Sequence, residues 1–182
     1  MAKVLAQTTM SVDGFIAGPN DEMDWVFEYA EDVPAELVDE SIATTGAILG
    51  GRRGYEVARS AQRPETSKPF GGRWKGPIFV LTHNAPDDEP DPAYTFLSGD
   101  VREAVSTARA ASEDGNLLVL GANVVGQCLR EGLLDEILLV VLPVLLGDGV
   151  RLFSEPGVSA RLETLDATRS GQVANLRYRV VR

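Results

Sequence analysis

Hydrophobic residues in this chain fall in short runs, each closed by turn formers. The first run, Lys3 to Met10, predicts a strand that feeds the Asp13-Gly14 turn, an apolar pair, and then Gly18-Pro19-Asn20-Asp21. Glycine accepts positive φ and proline fixes φ near about −65°, so this strand ends in a long loop of small residues that closes on Asp24-Trp25. Pro34 to Thr45 reads as a helix, with Asp32 or Val33 near its cap and proline early, where a missing N–H is harmless. A short strand at Ala47 to Leu49 leads into a helical segment from Arg53 to about Ala61. Ile78 to Thr82, Tyr94 to Leu97, Leu117 to Leu120 and Ile137 to Leu142 read as strands. Asp100 caps a helix running to about Ser112, with Glu103 placed for a capping box. Asn123 to Glu131 forms another helix, closed by Gly132. Arg161 to Thr168 and Gln172 to Val181 pair as a hairpin around Ser170-Gly171.

Several of these strands are apolar at every position, the pattern of a parallel sheet buried on both faces. The last strand alternates instead, with Val173, Leu176, Tyr178 and Val180 set against Gln172, Asn175, Arg177 and Arg179 and a slip near Ala174. The expected fold is therefore α/β: one domain with a mixed, mostly parallel sheet flanked by helices, carrying an antiparallel hairpin at its C-terminal edge. Ligands of such sheets bind beyond the carboxyl ends of the strands. That directs attention to the loops after Met10, Leu49, Thr82 and Leu120.

Composition narrows the partners. The 182 residues are 44% hydrophobic and 24% charged, with a net charge of −10. That charge argues against nucleic acid or an anionic membrane surface as the main partner. No apolar run approaches the roughly 20 residues that span a bilayer, and no secretory leader pattern is present, so a cytoplasmic protein is expected. One His and one Cys supply no zinc signature, so neither a metal centre nor deaminase chemistry is expected. Cys128 shares a helical face with Val124 and Val125, which predicts core packing.

The candidate chemistry sits in the loops. Gly50-Gly51-Arg52-Arg53-Gly54 combines close backbone approach with two fixed positive charges, which suits the 2′-phosphate of a nicotinamide cofactor. It also reads as a glycine-rich turn with solvated arginines. Leu81-Thr82-His83 ends a strand, and a lone His there reads most simply as a surface or capping residue. Gly121-Ala122-Asn123-Val124-Val125 joins a strand to a helix, either as a phosphate turn or as a tight connection. Asp13, Asp24 and Glu28 are the carboxylates available as proton donors, although Asp13 also suits its Asp-Gly turn. Trp25 can stack on a substrate ring or pack in the core. A basic loop with Arg63, Lys68 and Arg73 can hold a sugar phosphate or stand solvated.

The stretch Thr9-Met10-Ser11-Val12-Asp13-Gly14-Phe15-Ile16-Ala17-Gly18 resembles the N-terminus of the dihydrofolate reductase-like family. The order Asp135-Glu136, apolar strand, Pro143-Val144, Leu146-Gly147-Asp148-Gly149, Leu152-Phe153 is similar to the branch containing the reductase domain of the bifunctional riboflavin-biosynthesis deaminase–reductase. The resemblance implies an NADPH-dependent reductase of a pyrimidine- or pterin-like compound. It implies that Ile16 and Ala17 border the nicotinamide and that Gly51 to Gly54 bind the adenosine phosphate. Leu81, Thr82 and His83 would then contact the adenosine half, and Gly121 to Val125 the pyrophosphate. Gly54 stands where relatives carry Thr, and Ala122 where many carry a second glycine. Rival expectations are a dihydrofolate reductase or a reductase of other small carbonyl or imine compounds, and a dimeric nucleotide-binding module without turnover. The Gly147-Asp148-Gly149 turn is expected to be structural. The apolar strand from Ile137 and the terminal hairpin are expected to join two copies as a homodimer.

Overall fold

The computed structural model describes residues 2–60 and 68–181. The chain forms β1 (Val4–Ser11), β2 (Phe15–Ala17), α1 (Ala35–Thr44), β3 (Thr45–Gly51), α2 (Arg52–Ser60), β4 (Ile78–Leu81), β5 (Tyr94–Leu97) and α3 (Val101–Ala111). It continues through β6 (Asn116–Val119), α4 (Ala122–Arg130), β7 (Glu136–Leu142), β8 (Val150–Arg151), β9 (Arg161–Ser170) and β10 (Val173–Val181). Eight strands make one sheet in the order β5-β4-β3-β6-β1-β7-β10-β9, and β2 pairs with β8 in a small ribbon. The first six strands of that order are mutually parallel, and the closing hairpin is antiparallel.

Why the helices settle as they do follows from their caps and faces. In α3 the Asp100 carboxylate accepts from the Glu103 N–H at 2.9 Å, and Val101, Ala104, Val105 and Ala108 are buried. Together with Val124, Val125 and Cys128 of α4 they cover one face of the sheet. Burial pushes the Cys128 thiol up to about 12, so it packs as an inert apolar group. On the other face Leu37 and Ile42 of α1, with Trp74, cover Leu5, Ile48, Leu118 and Leu138. Two glycines, Gly46 and Gly115, pack backbone to backbone, leaving no room for a side chain at either. Among the described residues no helix is long and apolar enough to cross a membrane.

Ahead of α1, Asp24–Asp32 forms nine residues of 3₁₀ helix in which only Trp25 is buried. Two sequence expectations need correction. The α1 cap is Pro34, and Asp32 turns away to the hairpin, where Gly171 has no space for a Cβ against its carboxylate. Last, β10 has no slip at Ala174. Its alternation is continuous, and Asn175 shares a face with Val173. Asn175 is 4% exposed, because its face of the sheet is covered where Trp25 packs on the neighbouring Val140, Leu142 and Val173. The part of the α2 expectation at Ala61, and Arg63, lie outside the described residues.

Candidate active site

The loops at the carboxyl ends of β1, β3, β4 and β6 converge on a cleft of about 1260 Å³. That exceeds the roughly 300–1,000 Å³ of most small-molecule sites and suits an extended ligand or two ligands together. Ile16 and Ala17 line one wall. Gly51, Arg52, Arg53 and Gly54 line a second, and Leu81, Thr82 and His83 a third. Gly121, Ala122, Asn123 and Val124 complete it, whereas Val125 points into the core at 2% exposed.

Each wall has a local cause. Gly121 begins α4 with φ +87 and ψ 138, and no side chain caps this helix. The first intrahelical bond there runs from the Val125 N–H to the Gly121 carbonyl, at 3.0 Å. The N–H groups of Ala122, Asn123 and Val124 therefore lack helical acceptors and are available to an anion. A Cβ at Gly50, Gly54 or Gly121 would meet nothing within 4 Å, so these glycines leave open space for a ligand to approach the backbone. Arg52 and Arg53 are not idle. Their Nε atoms bond Glu56 and Asp21, each at 2.6 Å, in pairs where both arginines are more than half exposed. Such pairs contribute at most about 1 kcal/mol and exchange readily with a better anion.

The Gly147-Asp148-Gly149 turn does more than brace the fold, since it lines the cleft. Gly149 has φ +130, and a Cβ there would stand 2.1 Å from the Ala17 carbonyl oxygen. This contact and the β2–β8 ribbon hold the Ile16-Ala17 wall in place. Arg151 adds to it by lying over the Phe15 ring at 4.3 Å and donating to the Asp13 carbonyl at 3.0 Å. The Asp13 carboxylate accepts from the Ser11 hydroxyl at 2.6 Å, Leu146 N–H at 3.1 Å and Gly147 N–H at 2.7 Å. These bonds, led by Ser11, hold its carboxyl down to about 2. Asp13 is thus an ionised tie between two loops and a poor proton donor at neutral pH.

Asp24 and Glu28 are exposed and lie away from the cleft, and Trp25 is buried against Val140, Leu142 and Val173. Lys68 is exposed, and Arg73 pairs with Asp39 at 2.6 Å; neither reaches the cleft. The carboxylates that do line it are Asp21, held by Arg53, Glu155, held by Arg130, and Asp148, which accepts from the Gly149 N–H at 2.7 Å. None of the three was among the carboxylates singled out in sequence as proton donors.

Beside the cleft one strand pairing ends early. β1 pairs with β6 only from Val4 to Ala6, yet it pairs with β7 as far as Ser11. β6 ends at Val119, and the Leu120 N–H continues its ladder to the Leu49 carbonyl of β3 at 2.9 Å. Among the described residues the edge of β1 from Gln7 onward therefore has no strand partner on that side, which leaves a slot between β1 and the end of β6, and Thr8 lines the cleft there.

This sheet order, with a cleft across the carboxyl edge, defines a dihydrofolate reductase-like fold. Dihydrofolate reductase from Enterococcus faecalis complexed with NADP(H) and RAB-propyl superposes with a TM-score of 0.67 at 15% identity, covering 99% of this chain and 97% of that one. A putative riboflavin biosynthesis protein from Shewanella sp. PV-4 does so with a TM-score of 0.78 at 20% identity, covering 99% of each. The RibD C-terminal domain family matches residues 2–176, and the chain belongs to that family of riboflavin-type reductase domains. Among curated proteins, the uncharacterized protein YwjB of Bacillus subtilis is 28% identical over 178 residues, 97% of each chain.

Proposed function

We propose that this chain is an NADPH-dependent reductase of a pyrimidine- or pterin-like substrate, of the 5-amino-6-(5-phosphoribosylamino)uracil reductase type. The observation that carries this reading is the large cleft at the carboxyl edge of the sheet, which brings Thr8, Ile16, Ala17, Arg52, Arg53 and the start of α4 together. The residues fit the cofactor: open glycines where backbone meets phosphate, unpaired N–H groups at the start of α4, and guanidinium groups at the start of α2. Bound there, the cofactor supplies the hydride. Ala17, 7% exposed and followed by Gly18, would give the reacting ring a flat small wall to lie against. Gly149 fixes that wall, and the Asp13 tie fixes Gly149's turn. Ala122, Asn123 and Val124 orient the pyrophosphate.

Reduced cofactor incubated with the protein and a panel of pyrimidine and pterin compounds tests the reading by its loss of absorbance. Cofactor binding without turnover on any compound points instead to a nucleotide-binding module. Cofactor preference gives a sharper check. Replacing Arg52 and Arg53 with Ala is expected to weaken the phosphorylated cofactor by about 1–3 kcal/mol while barely touching the unphosphorylated form. Equal losses for both overturn the phosphate assignment.

The same reading extends to a homodimer. From Arg161 to Arg169 every residue of β9 is exposed, its outer edge is unpaired, and it presents Leu162 and Leu165. Unprotected edges of this kind recruit another strand, and a second copy provides one under two-fold symmetry. Sedimentation at micromolar concentration is expected to give twice the chain mass; a monomer contradicts the proposal.

A further inference from the structure

Three buried polar groups on one face of the sheet have no hydrogen-bond partner. They are the Gln7 Oε1 atom, the Trp25 Nε1 atom, and both the Oδ1 and Nδ2 atoms of Asn175. Asn175 is 4% exposed and Trp25 is 7% exposed. Buried side-chain amides are nearly always bonded, because desolvation without a partner is costly. One such atom is unremarkable, but a whole amide with neither end satisfied calls for a partner of its own.

Register places the group. Asn175 lies opposite Val140, which lies opposite Thr9. Gln7 is two residues before Thr9, so its side chain takes the same face, at the lip of the slot. Val173, Val140 and Leu142 on that face carry the Trp25 ring. Over this patch lies the 3₁₀ segment Asp24–Asp32, far longer than the usual run of about 3–4 residues, with Trp25 buried and Val26 and Tyr29 packed part-buried beside it. Asp32 ties its far end to the hairpin turn through Gln172 N–H at 3.4 Å. The segment belongs to no strand, so its displacement breaks no ladder of the sheet.

We propose that Asn175 is a specificity-determining residue: its side-chain amide, carried beneath the Trp25 segment, takes the adjacent N–H and C=O of a planar cyclic amide that reaches the slot. Asn presents an acceptor and a donor side by side, the complement of that edge, and an apolar residue cannot replace it. Gln7 adds an acceptor at the slot, and Trp25 covers the ring. The inference rests on the reductase reading for the identity of the second ligand.

The test uses the full chain labelled with ¹⁵N and uracil as probe. Uracil is expected to shift the Asn175 side-chain amide and Trp25 indole resonances. 2,4-Dimethoxypyrimidine, the same ring without the N–H and C=O edge, is expected to leave them in place. Asn175→Leu should weaken uracil by about ten- to a hundred-fold. Its melting temperature should hold or rise, because the change removes two unsatisfied buried atoms. Uracil affinity unchanged in Asn175→Leu overturns the proposal. So do wild-type resonances that ignore uracil, a result that needs no folded variant and assigns the orphan atoms to water. Turnover of a pyrimidine with Asn175→Leu unaffected sinks this inference and spares the reductase reading. Uracil binding at Asn175 without any turnover does the reverse.

Discussion

Gly149→Ala is expected to lower stability by about 2–4 kcal/mol and to weaken cofactor binding at the same time. Two penalties combine. The residue holds φ +130, where a side chain is strained, and its new Cβ would stand 2.1 Å from the Ala17 carbonyl oxygen and 2.9 Å from Gly18. Both neighbours are backbone, so nothing flexible can move aside. The clash must push β2 off β8 and carry the Ala17 wall with it. Gly147→Ala is the control: its φ is +75, yet a Cβ there meets nothing within 4 Å. It should cost only about 1 kcal/mol and leave affinity nearly unchanged. Thermal melts with a cofactor titration check both. Equal effects at the two glycines would show that strain alone, not the contact with Ala17, decides the outcome.

Glu136→Gln is expected to cost about 2–4 kcal/mol, read as a fall of roughly 5–12 °C in Tm. The Glu136 side chain is 3% exposed at the start of β7 and accepts from Lys3 Nζ and, at 2.8 Å, from Arg177 Nε. Arg177 also reaches Glu40 of α1 at 3.0 Å, so the network staples β1, β7, β10 and α1. Gln keeps the shape and removes the charge, leaving two cations without their shared anion. The full penalty of a buried pair does not apply, because Lys3 and Arg177 remain 45% and 28% exposed. Burial opposes ionisation of Glu136, but the hydrogen bonds from Lys3 and Arg177 outweigh it and hold its carboxyl below 4.5. The folded state therefore binds the proton less well than the unfolded chain. This stabilisation is complete above about pH 4.5 and is lost as pH falls through the folded value. Asp13 behaves alike, between 3.8 and about 2. Glu136→Gln should thus flatten the loss of stability below pH 4.5, which acid titration of the melting temperature measures.

Local physics made some of this legible in sequence and left the rest hidden. Strands such as Leu117 to Leu120 and Ile137 to Leu142 announced a parallel sheet because both faces must be apolar. The loops around Ala17, Gly51, Thr82 and Gly121 followed from the carboxyl-edge rule. Gly149 was read as structural because its partner, Ala17, is distant in sequence, and contact between two backbones leaves no side-chain pattern. Arg53's engagement by Asp21 is hidden for the same reason. Asn175 was placed outward because alternation assigns polar residues to solvent; only the packing of Trp25 on Val140 and Val173, distant in sequence, reveals that this face of β10 is covered. Asp24–Asp32 carries no side-chain helical cap, and its one buried side chain is Trp25.

The position of β1 has a consequence for how the protein is made. β1 leaves the ribosome before the other strands of this sheet, yet it lies between β6 and β7, whose residues 116–142 emerge after β3, β4 and β5. Both of its pairings close loops of more than a hundred residues, the kind of contact that slows folding. During translation Val4, Leu5 and Ala6 must remain unpaired until most of the chain has emerged, while β3, β4 and β5 can already assemble beside one another. The emerging β1 segment, apolar and unpaired for that interval, is therefore the natural place for a holding chaperone.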